Sequence, residues 1–420
     1  MDIEPSVGSD CDLTSAISVP ADARLALRRH LGLKESASLR VTFIPGPGDV
    51  AGTFDYWRAR RHDPRVPIIA YSWMFYELMD RLDAECQIIA VHPIGSSAQS
   101  SDDRFHFEQA TPIAWGGRWS YLRSQHLYAK DLVSRVKRFD PHIVITATHN
   151  PAGSWKDLAH RRKLVLTAHN AFWPMGRPPR DVKGRLRKAL LSSRATALDA
   201  AICTSHECAR QISDVTGSRL QGEVQCPQVV ARYPIEKRDT VGRLLFLGRI
   251  EHAKGIFLLV EAFERLATRY PGLSLVIAGS GSAEGELKAR LSASSSRESI
   301  SFIGRVDSEG VHATIAAADL LVCPTMSSFN EGLAVVGFEA AAHGIPSVVS
   351  SVVPALDLLA DSCTVHEVDN PAALEKAISR LIDNPVAYRD ACAATAMVRD
   401  KIYDRSLSWG SGLFRALMTA

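Results

Sequence analysis

The sequence lacks any long run of apolar residues. A helix that crosses a lipid bilayer needs about 20 consecutive apolar residues, and no stretch of the 420 residues approaches that length. The first residues, MDIEPSVGSDCDLTS, are acidic and contain no apolar segment, so we do not expect a secretory signal peptide. We therefore expect a cytoplasmic protein that begins with a mobile arm over residues 1–22.

Paired cysteines are also missing. The eight cysteines are scattered along the chain, and no two of them form a C-x-x-C motif. Cys86, Cys203 and Cys323 lie in or beside apolar segments, which indicates buried, reduced thiols rather than disulfides or a structural zinc site. The only Asp-x-Asp sequence is Asp10 to Asp12, in the expected arm rather than at a strand end, which argues against a metal site built on such a motif.

A strong net charge is absent, because the formal charge is only +3, but its distribution is uneven. Residues 1–237 carry net +7 and residues 238–420 carry net −4. Residues 151–200 contain 11 basic and 3 acidic side chains. This basic block is either a solvated helix face or, through residues 160–194, a peripheral contact with an anionic membrane or a lipid-linked acceptor. No nucleic-acid-binding module accompanies the charge, so nucleic acid is not an expected partner.

Short β-rich apolar segments alternate with amphipathic helical segments, which predicts an α/β fold with parallel sheets. The predicted strands of the first half are Arg40–Pro45, Cys86–Val91, His142–Ala147, Lys163–Ala168 and Ala200–Thr204. Those of the second half are Arg243–Leu247, Ser274–Ala278, Ser301–Ile303, Leu320–Cys323 and Ser347–Val349. Amphipathic stretches such as Tyr121–Arg138 and Lys254–Tyr270 are predicted to be helices between them.

Two prolines and a charge cluster in residues 227–240 predict a linker between two domains. The first Rossmann-like domain is then expected over residues 23–226 and the second over residues 241–400. A helix over residues 401–420 either caps the second domain or crosses back to the first. Two doubly wound sheets would line a central cleft with their carboxyl ends, where open α/β sheets bind ligands.

The segment Glu331 to Pro346, EGLAVVGFEAAAHGIP, carries the clearest chemical pattern. Glu331 and Glu339 are eight positions apart, slightly over two helical turns, so one helix would hold both carboxylates near one face, with Glu331 at its start. Gly332 lets a ligand approach the backbone, and the free N–H groups of a helix start bind anions. Carboxylates for hydroxyls and a helix terminus for phosphate suit a sugar joined to a diphosphate.

A second pattern, LLFLGRIEHAKGI, begins the second domain. A predicted strand ends at Gly248, and Arg249 and Lys254 follow in the turn and helix start. Arginine grips phosphate oxygens with a planar fork, whereas lysine acts as a mobile point charge. Two such cations at a strand end can converge on one diphosphate, although they are also common as ordinary surface charge.

Residues 244–348 contain GRIEHAKG, VIAGSG, FIGRV, AADLLVCPT and NEGLAVVGFEAAAHGIPSV in that order. Together these segments resemble the nucleotide-sugar domain of the retaining glycosyltransferases of family 4, which have the GT-B fold. The resemblance implies that Arg249 and Lys254 bind the donor diphosphate and stabilise its charge as it leaves. It also implies that Glu331 contacts sugar hydroxyls and that Glu339 accepts hydrogen bonds from the ribose. The other donor-binding residues that it implies are Gly248, Gly279, Arg305, Val306, Gly332 and Leu333.

The first domain offers fewer candidates. GPGDVAG follows its first strand, and the resemblance places this loop, with Gly48, near the donor phosphates and the acceptor. The resemblance also places His169, in VLTAHNAF, beside the donor sugar. Asn170 follows where the family often has aspartate, so the fine role of the histidine stays open. His149 is a weaker candidate.

The function implied by the resemblance is transfer of a sugar from a nucleotide diphosphate, a UDP-sugar before a GDP-sugar, to a hydroxyl of a glycan or lipid-linked acceptor. The expected setting is cell-envelope or exopolysaccharide synthesis, with no metal and no cofactor. The alternatives are a GT-B nucleotide-sugar epimerase or phosphorylase, an inactive sugar-nucleotide-binding scaffold, and an NAD-dependent oxidoreductase. The last fits poorly. GPGDVAG and GSGSAEG have three residues between the second and third glycines, whereas the dinucleotide fingerprint has two.

Overall fold

The computed structural model describes residues 13–92, 104–111 and 117–420. Within these residues the chain forms two parallel β-sheets, one of seven strands and one of six, with helices between successive strands. The predicted architecture of two doubly wound α/β units is therefore confirmed. Asp10, Cys11 and Asp12 lie outside the described residues.

The first sheet has the strand order β3-β2-β1-β4-β5-β6-β7. Its strands are β1 (Leu39–Ile44), β2 (Ala84–Ala90), β3 (Phe105–Gln109), β4 (Ile143–Ala147), β5 (Lys163–Ala168), β6 (Ala200–Cys203) and β7 (Glu223–Val224). Its helices are α1 (Ala23–His30), α2 (Val50–Arg58), α3 (Tyr71–Arg81), α4 (Arg118–Phe139), α5 (Trp155–Leu158), α6 (Val182–Ala195) and α7 (His206–Val215). The order reverses between β1 and β4, which opens a crevice at their carboxyl ends.

The second sheet has the order β10-β9-β8-β11-β12-β13. Its strands are β8 (Arg243–Leu247), β9 (Ser274–Ala278), β10 (Ile300–Gly304), β11 (Leu320–Cys323), β12 (Ser347–Ser350) and β13 (Cys363–His366). The helices of this half are α8 (Ile256–Arg269), α9 (Glu284–Ser292), α10 (Ser308–Ala316), α11 (Val336–Ala342), α12 (Leu356–Leu359), α13 (Pro371–Asp383) and α14 (Pro385–Tyr403). A last helix, α15 (Trp409–Leu417), follows. Here the order reverses between β8 and β11.

The central strands were predictable because both of their faces are covered. Every residue of β4 and of β11 is buried, and such strands read as continuous apolar runs. The prediction missed the edge strands β3, β7 and β13. Polar residues in FHFEQ, a length of two residues in β7 and partial exposure of β13 weaken the signal of an edge strand.

The C-terminal helix α15 packs against α3 and β6 of the first unit. Ser408 caps its start by accepting a hydrogen bond from the N–H of Ser411. Leu413 and Trp409 belong to the core of the first sheet, together with strand residues such as Phe43. The chain therefore returns to its first unit after completing the second.

The predicted mobile arm is wrong for residues 13–22. Leu13, Ala16 and Ile17 are buried in the core of the first unit. The N–H of Ala16 donates to Oε2 of Glu77 at 2.7 Å. Three apolar side chains and this buried carboxylate hold the segment in place, and neither feature forms a periodic pattern in the sequence.

The helix predicted to start at Glu331 begins only at Val336, as α11. Ala334 interrupts it, because its φ of 68° lies in the left-handed region. Glu331 and Glu339 are therefore not on one helix, and the expectation that Glu331 opens the helix is wrong. Glu331 lies instead in the loop between β11 and α11.

Cys86, Cys203 and Cys323 are buried free thiols, as the sequence indicated. Burial raises the pKa of the Cys323 thiol to about 12, so the thiol stays protonated at neutral pH. Among the helices of the described residues, none has the length and apolar character that a membrane crossing requires.

Candidate active site

A cavity of about 370 Å³ lies between the two units at the carboxyl ends of their central strands. Seven of the predicted site residues line it: His169, Gly248, Arg249, Lys254, Glu331, Gly332 and Leu333. Tyr71 and Thr204 of the first unit also line it. The ends of β5 and β6 in the first unit thus face the strand-order reversal between β8 and β11 in the second across one cavity.

Lys254 and Glu331 form an ion pair inside this cavity. Nζ of Lys254 donates to Oε2 of Glu331 at 2.5 Å, and Thr325 donates to the same oxygen at 3.4 Å. Gly255 follows the lysine with a φ of 75°, and a Cβ there would lie 1.9 Å from the carbonyl oxygen of Pro324. Only glycine fits so close to the backbone that follows β11. This close approach places the preceding residue, Lys254, beside the loop between β11 and α11.

Arg249 and Lys254 both contact one aromatic ring. The guanidinium carbon of Arg249 lies 5.3 Å from the ring centre of Phe329, and Nζ of Lys254 lies 4.3 Å from it. Arg249 also donates to Oε1 of Glu251 at 2.8 Å. Cation–π contacts with the same ring hold two positive charges near each other although they repel. The pair would attract a doubly charged anion.

The loop between β11 and α11 presents free backbone donors. Among the described residues, the N–H groups of Gly332, Leu333, Ala334 and Val335 donate no recorded hydrogen bond. All four residues line the cavity. Backbone N–H groups without acceptors bind anionic oxygens well, particularly beside two cations.

His169 brings the first unit to the same cavity. Its ring stacks on Tyr71 with the centres 4.8 Å apart, and its Nε2 lies 2.8 Å from Oγ1 of Thr167. Burial, with a smaller contribution from nearby His149, lowers the pKa of His169 to about 4. The imidazole is therefore neutral at pH 7.

The two units touch at Gly332. A Cβ on this residue would lie 1.8 Å from the carbonyl oxygen of His169. Oγ1 of Thr204 donates to the carbonyl oxygen of Gly332 at 3.3 Å. The contact joins the loop after β5 to the loop that carries the free N–H groups.

Five predicted donor-binding residues do not line the cavity: Gly48, Gly279, Arg305, Val306 and Glu339. Gly279 has a φ of 136°, and a Cβ there would lie 1.8 Å from the carbonyl oxygen of Gly248, so it lets the ends of β8 and β9 approach each other. Arg305 is exposed and Val306 is half-buried. Burial raises the pKa of Glu339 to about 7, and no hydrogen bond of its side chain is recorded among the described residues.

Gly48 lines a neighbouring cavity of about 460 Å³ in the first unit. Asp63 and Arg65 form an ion pair at 2.6 Å on its wall. Tyr71 and His169 line both cavities, so the two cavities adjoin. The glycine-rich loop therefore borders a second compartment next to the one that holds the cations.

Sequence reasoning missed several residues of the site. Phe329 lies two positions before Glu331, but a single aromatic residue in a loop carries no pattern. Tyr71 begins the aromatic-rich segment YSWMFY, which reads as core packing. Thr204 is the last residue of a predicted strand, and that position was the one signal that could have found it.

Comparison with known families gives two matches that together span most of the chain. The profile of the family "Glycosyltransferase Family 4" matches residues 72–221. The profile "Glycosyl transferases group 1" matches residues 231–398. The boundary between the two matches falls at the start of the predicted linker.

Characterised relatives match parts of the chain. A glycogen synthase of Mycobacterium tuberculosis is 31% identical over 37% of this chain and 38% of its own length. A phosphatidyl-myo-inositol mannosyltransferase of Propionibacterium freudenreichii is 28% identical over 53% of this chain and 56% of its own length. A lipopolysaccharide 1,2-N-acetylglucosaminetransferase of Salmonella typhimurium is 25% identical over 80% of this chain and 84% of its own length. The matched part of this chain thus spans less than two fifths of the length of the glycogen synthase.

Solved structures resemble the whole chain. Sucrose-phosphate synthase from Thermosynechococcus elongatus has a TM-score of 0.67 at 16% identity, covering 90% of this chain and 99% of its own. Anabaena HepE in complex with UDP and glucose has a TM-score of 0.63 at 15% identity, covering 91% and 100%. At this identity the likeness concerns the fold alone, which is the GT-B fold.

Proposed function

Because this chain belongs to the glycosyltransferases of family 4, we propose that it transfers a sugar from a nucleotide diphosphate donor to a hydroxyl of a glycan or lipid-linked acceptor. The single observation that carries the proposal is one cavity lined by Arg249, Lys254, Glu331 and four free backbone N–H groups. We propose a UDP-sugar before a GDP-sugar, retention of the anomeric configuration, and a role in cell-envelope or exopolysaccharide synthesis.

The reaction breaks the bond between the anomeric carbon and the diphosphate oxygen. Negative charge then grows on the leaving diphosphate, and the sugar gains oxocarbenium character. In this proposal Arg249, Lys254 and the free N–H groups of the β11–α11 loop stabilise the leaving charge, because fixed positive groups at a leaving oxygen lower the barrier. The acceptor oxygen forms the new bond and its proton leaves with the diphosphate or with solvent.

The carboxylates and His169 are proposed to hold the sugar and the ribose. Glu331 accepts hydrogen bonds from sugar hydroxyls once the donor phosphate competes for Lys254. Neutral His169 approaches the same sugar from the first unit. Glu339 accepts from the ribose hydroxyls, which requires the donor to reach a carboxylate that the described cavity does not expose.

We propose that the reaction needs no metal ion. The charge that a metal would supply at the diphosphate is available from Arg249 and Lys254, which share the ring of Phe329. We further propose that the acceptor enters the adjoining cavity beside Gly48. Tyr71 and His169, which line both cavities, would then stand between donor and acceptor.

A thermal-shift series tests the donor proposal. UDP, GDP, ADP and their glucose conjugates are compared at 100 times their dissociation constants, where a bound ligand stabilises by about 2.7 kcal/mol. Lys254→Ala should lose most of this stabilisation, whereas Lys288→Ala, at an exposed lysine of α9, should keep it. No stabilisation by any nucleotide would overturn the proposal. Interconversion of sugars without an acceptor would indicate an epimerase instead.

We also propose a cytoplasmic enzyme that touches the inner face of an anionic membrane through residues 160–194. The specific support is α6, whose only buried residue is Ala195. Val182, Leu186 and Leu190 recur at four-residue spacing, and their exposed fractions are 84%, 70% and 50%. Such an unburied aliphatic row on a helix without acidic residues suits an anionic lipid surface. The flanking cations are Lys183, Arg185 and Arg187.

Vesicle sedimentation tests this contact. The wild-type chain should sediment with vesicles of three parts phosphatidylcholine and one part phosphatidylglycerol, and not with pure phosphatidylcholine. Leu186→Glu should abolish binding, whereas Met397→Glu, at an exposed methionine of α14, should not. Equal binding by both variants would overturn the proposed surface. Self-association of the wild type that Leu186→Glu abolishes would assign the row to a second copy of the chain.

A further inference from the structure

A hydrogen-bonded chain connects the C-terminal helix to His169. Nε1 of Trp409 in α15 donates to Oγ1 of Thr167 in β5 at 3.3 Å. The same Oγ1 lies 2.8 Å from Nε2 of His169. Trp409 and Thr167 are each 1% exposed, so water does not replace these partners. The ring of Tyr71 stacks on His169 and also lies 5.8 Å from the ring of Trp409.

The direction of each bond follows from the donors available. An indole N–H only donates, so Thr167 accepts from Trp409. The hydroxyl has one proton, and among the described residues Nε2 of His169 is its only other recorded partner. If His169 donated instead, the buried hydroxyl proton would have no acceptor, which is a costly arrangement. Thr167 therefore donates to Nε2.

The tautomer of His169 follows from this direction. A neutral imidazole has one protonated nitrogen, and Nε2 accepts, so the proton is on Nδ1. Burial keeps the ring neutral at pH 7, since it lowers the pKa to about 4. No side chain or backbone group of the described residues is recorded as a partner of Nδ1. The ring is thus left with one N–H donor for a ligand.

We propose that Trp409 and Thr167 are positioning residues that hold His169 as the Nδ1–H tautomer, so that it donates a hydrogen bond to an oxygen of the bound sugar. The recipient of this bond rests on the proposed function, whereas the tautomer does not. His169 then acts as an oriented neutral donor and neither accepts nor releases a proton during transfer. The helix that closes the chain thereby orients a group in the cavity between the units.

Two-dimensional NMR of the full chain labelled with ¹⁵N-histidine tests the tautomer at pH 7 without any ligand. The His169 signal, assigned by its loss in His169→Gln, should show a protonated Nδ1. Thr167→Val, which keeps the shape and removes the hydroxyl, should shift it toward the Nε2–H form, and Trp409→Phe should shift it part of the way. Thr167→Ser should keep the wild-type tautomer.

The matched control is Thr42→Val, which makes the same substitution in β1 of the same sheet, where the hydroxyl donates to Gln87. It should leave the His169 signal unchanged. A wild-type ring protonated at Nε2, or a signal insensitive to Thr167→Val, would overturn the proposal. If Thr167→Val does not fold, an unchanged signal in Trp409→Phe would overturn it.

Hydrolysis of UDP-glucose supplies the functional readout. Thr167→Val should lower kcat by about tenfold, which corresponds to loss of one hydrogen bond to the sugar. Thr167→Ser should restore kcat, and KM for UDP-glucose should change less than kcat. A wild-type kcat in Thr167→Val would overturn the positioning role. Absence of hydrolysis by the wild type would count against the proposed function and leave the NMR assignment standing.

Discussion

At the scale of single residues, the site combines charges that pair with each other and groups whose pKa values burial shifts. Lys254 and Glu331 pair at 2.5 Å, and Lys254 shares Phe329 with Arg249. His169 and Glu339 instead have pKa values moved by burial, to about 4 and about 7. Paired charges and a neutral imidazole at the cavity give the ligand a fixed electrostatic environment.

Glu339 should make stability depend on pH. Its folded pKa of about 7 lies above its ordinary value of 4.5, so the native state favours the protonated form. The resulting stability is fully present below pH 4.5 and is lost as pH rises through about 7, a loss of roughly 3 kcal/mol. The free energy of unfolding of Glu339→Gln, relative to wild type, should therefore increase from pH 4.5 to 7.5 in urea titrations.

Taking the difference between the two proteins removes the effect of other titrating groups, including His312 and His343. The matched control is Glu298→Gln, at an exposed carboxylate far from the cavity. Its difference from wild type should stay constant with pH. A Glu339→Gln difference that does not change with pH would show that the carboxylate ionises as freely as in water.

At the scale of elements, the residues of the site lie in loops that follow strands, and the helices next to these loops fix their positions. Gly255 lets the start of α8 approach β11, and Ala334 ends the β11 loop before α11 begins. The last helix, α15, adds Trp409 and Leu413 to the core of the first sheet, although it follows the whole second unit in the chain. Loss of this packing should therefore lower the stability of the first unit.

Leu413→Ala should lower the free energy of unfolding of the first unit by about 2–5 kcal/mol. The side chain is fully buried in the core of the first sheet, and its truncation removes apolar contacts and leaves a cavity. Urea unfolding followed by circular dichroism measures the change. Leu122→Ala, at an exposed leucine of α4, should change stability by less than about 0.5 kcal/mol. Equal effects would mean that α15 is not part of the cooperative unit.

At the scale of the whole molecule, the two units meet where the site is. Gly332 contacts the loop after β5, and Thr204 and Cys208 of the first unit hydrogen-bond its carbonyl oxygen. At a second contact between the units, Nε2 of His312 lies 3.3 Å from the carbonyl oxygen of Pro67. Closure of the cavity therefore depends on a close backbone approach at one glycine.

Gly332→Ala should hold the two units apart. The new Cβ would lie 1.8 Å from the carbonyl oxygen of His169, so one of the two loops must move. We expect a larger radius of gyration in small-angle X-ray scattering and at least a tenfold loss of turnover, a change of about 1.4 kcal/mol. Gly285→Ala, where nothing lies within 4 Å of the added Cβ, should change neither quantity. An unchanged radius with lost turnover would mean that the loops shift locally instead.

Much of the fold could be predicted because central strands and amphipathic helices carry their own patterns. The bounds of Lys163–Ala168, Arg243–Leu247 and Leu320–Cys323 agree with the structure to the residue. Seven of the twelve predicted site residues line the cavity for a related reason, since each follows a recognisable strand or belongs to an ordered motif. Edge strands and the packed segment 13–22 escaped prediction because contacts distant in the chain stabilise them.

The sequence alone determined two parallel α/β units, their order and a glycosyltransferase resemblance, because these depend on local periodicity and on residue spacing within one half. Only the tertiary structure decided that His169 contacts Gly332, that Phe329 contacts both Arg249 and Lys254, and that Trp409 donates to Thr167. The physical reason is that such contacts depend on how helices and sheets pack against each other. Residues 242 positions apart share no periodic signal, yet they share one hydrogen bond.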